Sequence, residues 1–164
     1  MSGPTLSELL DSFETSATEL WIPRITKLGF TDVQWQRGRI ESQVGARHGL
    51  IALSLVAMPY DSMVWATFTR GEPLPPRTYP ENISVESLCL LESPTFGFNV
   101  NPVDSSGREF SSVRASAIIA RYADLLDRHW ARWSILLQDW EQTRTAALAA
   151  LRRAGDDWWR ADRE

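Results

Sequence analysis

The sequence predicts an α+β domain: an N-terminal helix, an antiparallel β-meander of about four to five strands, and a long C-terminal helix packed across the sheet. Three observations predict it. Apolar residues recur at helical spacing near both ends of the chain, from Leu6 to Trp21 and again from Val113 to Ala154. Between Thr31 and Thr69 the period changes to two. Only short turn signals separate the runs of that middle part, and strands joined by short turns pair antiparallel.

The first helix is expected to begin at Thr5, because Thr5-Leu6-Ser7-Glu8 has the spacing of a reciprocal cap between a threonine and a glutamate. Leu6, Leu9, Leu10, Phe13, Ala17, Leu20 and Trp21 then share a face. Pro23 should end or kink this helix, since it lacks the amide donor and crowds the preceding turn. A short continuation to Leu28 stops at Gly29, a residue type that closes helices in the left-handed conformation. Val33 and Trp35, and after Gly38 also Ile40, Ser42, Val44 and Ala46, alternate as two strands. Arg47-His48-Gly49 is expected as a turn and Leu50 to Ala57 as a central strand buried on both faces. Met63 to Thr69 returns, with Trp65, Thr67 and Thr69 on one face and Val64, Ala66 and Phe68 on the other.

Gly71, Pro73, Pro75, Pro76 and Pro80 keep Arg70 to Asn82 out of a sheet interior. Val85, Leu88 and Leu91 point to a short helix over 84–92, with a strand as the alternative. Thr95 to Val100 reads as a short strand and Pro102 to Gly107 as a turn. Behind Ser111-Ser112, the stretch from Val113 to Ala154 holds no Pro or Gly before Gly155. At about 100° per residue its apolar side chains form one broad stripe that includes Ile119, Tyr122, Leu126, Trp130, Trp133, Leu137 and Trp140. Unbroken, it would extend about 63 Å, against a gyration radius of about 15 Å for a domain of this size. It must therefore break, overhang or meet a partner, and Glu141 to Thr145 is its weakest place, with two threonines and with Arg144 inside the stripe.

All 164 residues fit one α+β domain, 1–164, with 155–164 as a flexible or partner-binding tail. A net charge of −4 argues against unspecific attraction to nucleic acid or anionic membrane. No apolar run reaches the roughly 18 residues of a membrane span. Met1-Ser2-Gly3-Pro4 has neither the basic nor the apolar region of a secretion signal, and the single cysteine, Cys89, has no internal partner. Both agree with a cytoplasmic protein. Of seventeen basic residues only Lys27 is a lysine, a bias expected of a GC-rich bacterial genome.

The searches for chemistry come up empty: G-x-S-x-G, G-x-G-x-x-G, the P-loop and C-x-x-C are all missing. His48, His129 and Cys89 have no ligand spacing, so neither a metal nor a cofactor is expected. His129 falls within the apolar stripe of the long helix and is expected as a hydrogen-bonded, half-buried side chain, with a general base as the rival reading. His48 should be exposed in its turn. Arg121, Arg128 and Arg132 lie on one side of the helix with Arg114, where they either pair locally with Asp124 and Asp139 or meet an acidic partner. Asp124 and Asp127 are expected on an outward, solvated face. Trp158 and Trp159 stand together in a charged tail, which either folds back or waits for another chain.

The order helix, β-meander, helix, with Arg121-Tyr122-Ala123-Asp124-Leu125-Leu126 in the final helix, resembles small bacterial α+β proteins that include immunity proteins of toxin systems. The resemblance carries no functional residue over. It implies a non-enzymatic binding protein acting by contact with a protein partner or with itself; the tryptophan-rich last helix and tail, with Trp130, Trp133, Trp140, Trp158 and Trp159 and the arginines Arg121, Arg128 and Arg132, are the contact surface expected from the sequence. The alternative is a helix-grip, START-like carrier. In that reading a small apolar ligand sits between sheet and helix, in a cup formed by Trp35, Trp65, Phe68 and His129 with Trp130 and Trp133.

Overall fold

The computed structural model describes residues 3–59, 63–74, 81–93 and 112–161, with the backbone alone for 112, 113 and 156–161. The strand expected at Thr95–Val100, the turn at Pro102–Gly107, Ser111 and the side chains of Trp158 and Trp159 lie outside the described residues.

Helix α1 (Leu6–Ser16) opens on the expected reciprocal cap: the Glu8 amide donates to Thr5 Oγ1 at 3.2 Å and the Thr5 amide to Glu8 Oε2 at 2.6 Å. The interruption expected at Pro23 takes the form of a π-helical turn, Ala17–Trp21, after which α2 (Ile22–Lys27) resumes. Pro23 thereby falls in a first turn, where a missing N–H costs little. Gly29 ends α2 at φ 99°; its amide donates to Thr26 O and that of Phe30 to Ile25 O, which satisfies two of the last carbonyls.

Five strands follow as an antiparallel sheet in sequence order: β1 (Thr31–Arg37), β2 (Ser42–His48), β3 (Ile51–Met58), β4 (Met63–Arg70) and the two-residue β5 (Ile83–Ser84). The β2–β3 turn is Gly49-Leu50 rather than Arg47-His48-Gly49, with His48 paired to Ile51. Gly49 supplies the positive φ, 61°, that a two-residue hairpin needs, and this draws Arg47 and His48 into the ladder. Ile40 is exposed in the turn that the Gly38 amide closes on Glu41 O at 2.9 Å, so it belongs to neither strand. Both readings of 83–92 hold in part. Ile83 and Ser84 pair with β4, and Ser84 Oγ then accepts from the Ser87 amide to start α3 (Val85–Glu92).

The C-terminal run is two helices, α4 (Ser112–Leu136) and α5 (Trp140–Ala161). The break comes at Leu137–Asp139 and not at 141–145, and Gly155 lies inside α5 instead of closing it. Asp139 followed by Gln142 has the residue types that start a helix, and the Thr143 amide donates to Asp139 O at 3.0 Å. Thr143 Oγ1 reaches back across the break to Leu136 O at 2.5 Å, so a threonine expected to weaken the helix ties its two halves together.

One face of the sheet carries Val44, Ala46, Leu53, Leu55, Ala57, Val64, Ala66 and Phe68, all fully buried in one core with Phe13, Trp21 and Ile25 and with Ile119, Tyr122, Leu126, Trp130 and Trp133 of α4. α4 thus crosses the sheet, flanked by α1 and α2. Ser16 and Ser116 hydroxyls meet at 2.6 Å, and Arg24 bonds Asp124 at 2.7 Å and also Asp127. The opposite face is buried yet polar, with Gln43, Ser54, Thr67 and Thr69. There Pro73 O accepts from Ser54 Oγ at 2.7 Å and closes over Gly45, which is paired with Ser54. A Cβ on Gly45 would lie 1.9 Å from that carbonyl. Gly45→Ala should therefore cost about 1–3 kcal/mol of stability, whereas Gly38→Ala, whose nearest neighbour would be 3.5 Å away, should stay within about 0.5 kcal/mol of the parent. Urea denaturation of the two variants checks this.

Candidate functional site

Of the tryptophans expected to face a partner, Trp130, Trp133 and Trp140 are structural. Trp130 and Trp133 point from α4 into the sheet, and Trp140 opens α5; none is more than 7% exposed. Trp130 meets Phe30 at 4.7 Å, His48 at 5.1 Å and Phe68 at 6.0 Å between ring centroids. His48 is accordingly half-buried and packed, not exposed in a turn. This aromatic block fills the space in which an apolar ligand was expected.

The cup does not assemble. Phe68 lies on the core face, while Trp65, three residues before it on β4, lies on the other. Trp65 lines a smaller recess of about 260 Å³ with Thr67, Ser84 and Ser87 on one side and Ala147, Leu148 and Leu151 of α5 on the other. Trp35 sits on β1, 39% exposed, at the margin of the sheet.

His129 finds the carboxylate that the sequence could not assign: Nδ1 lies 2.7 Å from Glu92 Oε2, at the end of α3, and its ring stacks on Trp133 at 5.1 Å. Arg132 Nε stands 3.3 Å from the other Glu92 oxygen. Glu92 thus receives a neighbouring pair of side chains from α4 and fixes the end of α3 against it. A carboxylate that orients an imidazole is two thirds of a nucleophilic triad, and among the described residues no hydrogen bond joins a third member to the pair. Cys89, one turn before Glu92, is buried, and its thiol is pushed up to about 12, by burial first and then by the charges of Glu86 and Glu92. Such a thiol is inert at neutral pH.

From α4, Tyr122 donates its hydroxyl to Glu86 Oε1 on α3. Burial raises the Glu86 carboxyl above the ordinary carboxylate range, against the lowering effect of that hydrogen bond. Among the described residues no three His, Cys, Asp or Glu side chains gather as a metal site. Of the arginines, Arg121, Arg128 and Arg132 are exposed, with Arg132 at Glu92. Asp124 and Asp127 lie on the exposed face expected of them, and there Arg24 from α2, 100 positions or more away, bonds both.

Two further open surfaces are formed by described residues. At the elbow between α4 and α5, a cleft of about 550 Å³ is walled by Leu50, Ile51, Trp130, Leu137 and Trp140, with Arg70, Asp139 and Glu141 also lining it. At the other margin of the sheet, β1 carries exposed Val33 and Trp35, with Ile40 exposed in the turn that follows. Trp35 there lines an open groove of about 520 Å³ with Asp11, Glu14 and Glu19. Sequence reasoning missed this margin because strand order, not composition, makes β1 an edge.

No protein-family model, no curated protein and no solved structure matches the chain. Among the described residues no helix is long and apolar enough to cross a membrane.

Two outcomes check the α3–α4 seam. Cys89 should resist a thiol reagent at pH 8 in the folded protein and react fully once urea unfolds it; labelling of the native state at the rate of a free thiol would contradict the burial. A carboxyl raised in the folded state loses its proton first in the unfolded chain, so its contribution to stability falls as pH climbs from the ordinary carboxylate value toward the folded one. Glu86→Gln should thus gain on the parent in melting temperature as pH rises from 4 to 7, and a constant difference across that range would contradict the assignment.

Proposed function

We propose that the chain is a non-enzymatic binding protein of the bacterial cytoplasm that works by protein–protein contact, in the manner expected of an immunity protein. The observation that carries this reading is the exposed apolar group on one sheet margin: Val33 at 37%, Trp35 at 39% and Ile40 at 46% exposure, on an edge strand and its turn. An edge strand offers backbone donors and acceptors as well as side chains, and apolar residues left there invite another chain. The chemistry of the interior supports the same reading. Among the described residues no nucleophile is bonded to the His129–Glu92 pair, and Cys89 is held as a thiol. The net charge of −4 supports a protein partner over nucleic acid. In this reading the Trp158–Trp159 pair is a second apolar contribution to the contact.

A second reading keeps the carrier idea and moves its site. The elbow cleft of about 550 Å³, with Trp130 and Trp140 in its walls, favours a small apolar ligand there rather than under α4.

Affinity capture from the source cells tests the two readings together. The parent should retain one protein at stoichiometric amount, reconstituted afterwards from purified components, and Trp35→Ser should weaken that complex by about tenfold or more, as loss of a tryptophan anchor does. No retained protein, with a small molecule found bound by native mass spectrometry, would replace the first reading by the second.

A further inference from the structure

Edge strands are ordinarily blunted by a bulge, a proline or an outward charge, and β1 has such protection at one end only. Between Thr31 and Gln34 its register slips, with Asp32 at φ 56° and its carboxylate accepting from Gln34 Nε2 at 3.2 Å. From Gln34 to Arg37 the strand is regular, paired residue by residue with Gly45 to Ser42, and no described strand lies beyond it. The one charge in that stretch does not guard the edge. Arg37 is turned onto α1, where it bonds Asp11 at 2.5 Å, Glu14 at 3.3 Å and Ser7 Oγ at 2.9 Å.

The ground beside this edge is acidic. From Leu6 to Trp21 the chain carries Glu8, Asp11, Glu14 and Glu19 and no basic residue. Arg37 answers Asp11 and Glu14, while Glu8 and Glu19 have no ion-pair partner among the described residues. The groove between Trp35 and Glu19 is open and wide enough for a long side chain.

We infer that the Gln34–Arg37 edge receives a strand from a protein partner, and that this strand is an extended basic segment. The inference rests on the protein-contact reading above and names its partner's chemistry. The segment's backbone continues the sheet beyond β1, as in strand addition generally. Its alternate side chains fall on the α1 side, so lysines or arginines at every second position meet Glu14 and Glu19 and lie against the Trp35 ring. A second copy of this chain fits worse. Two β1 edges paired antiparallel share one sheet face, and each acidic α1 would then flank the other, a like-charge approach that disfavours self-pairing.

The test uses the full chain and two synthetic eight-residue peptides, one alternating lysine with valine and threonine, the other with glutamate in place of lysine. Titration followed by backbone amide NMR should move the amides of 34–37 with the lysine peptide and leave them unmoved with the glutamate peptide. Binding should weaken by about tenfold from low to high salt, and Glu19→Lys, an exposed change with no ion-pair partner among the described residues, should weaken it similarly. Shifts confined to α1, equal binding of both peptides, no binding of either, or a doubling of mass with the β1 amides shifted would each overturn the inference. A captured protein partner that binds Glu19→Lys as tightly as the parent would overturn it too, while leaving protein contact standing.

Discussion

Trp130 is the point at which the structure is held together. Its ring meets Phe30 just after α2, His48 at the end of β2 and Phe68 on β4, so one side chain on α4 joins three elements distant in sequence. A buried indole removes more apolar area from water than any other side chain, and offset or edge-on aromatic pairs add to that burial. Trp133, one turn further, meets Phe68 at 81° and carries His129 on its other side. The register of α4 on the sheet is thereby set, and with it the position of Glu92, which can bond His129 only where the tryptophans leave that ring.

This placement decides where recognition is available. Every large aromatic of α4 is spent on the core, so the helix presents arginines and aspartates outward, and these are engaged in part by Arg24 and Glu92. The elbow at Leu137–Asp139 has the same effect on α5. By turning the chain it brings Trp140 and Ala147 into the core and leaves Leu148 and Leu151 against the recess beside Trp65. What stays open among the described residues is at the periphery, including the β1 margin and the elbow cleft.

Much of the architecture was legible because it follows from local rules. The Thr5–Glu8 cap, the Gly29 stop and the period-two run of β2 to β4 each need only a few neighbouring residues to act. The alternation on β4 even placed Trp65 and Phe68 on opposite faces, and a cup containing both ignored that. The break in the long helix was foreseen from its length but set at the threonines, although Asp139 with Gln142 marks a start more strongly than Thr143 marks a weakness. Glu92 with His129, Arg24 with Asp124 and Asp127, and Arg37 with Asp11 were all illegible. Their members are 26 to 103 positions apart or come from separate helices, and only the packed core brings them together.

The margin of the sheet shows why an exposed edge can be hidden by a sequence that reads well. Trp35 and Trp65 have the same period-two surroundings, and nothing within a few residues of either says which belongs to an edge. That distinction arises from strand order, and strand order is fixed by hairpins: tight turns at Gly38–Glu41 and Gly49–Leu50 stack β1, β2 and β3 in sequence and leave β1 outermost. Once β1 is outermost, the charge on its regular half is diverted to α1 by Arg37, and the acidic run that draws Arg37 away also colours the ground beside the edge. The same helix that satisfies the strand's one cation thus removes its guard, so the α1–β1 corner, and not the tryptophan-rich helix, combines a regular strand edge, an exposed indole and an acidic surface.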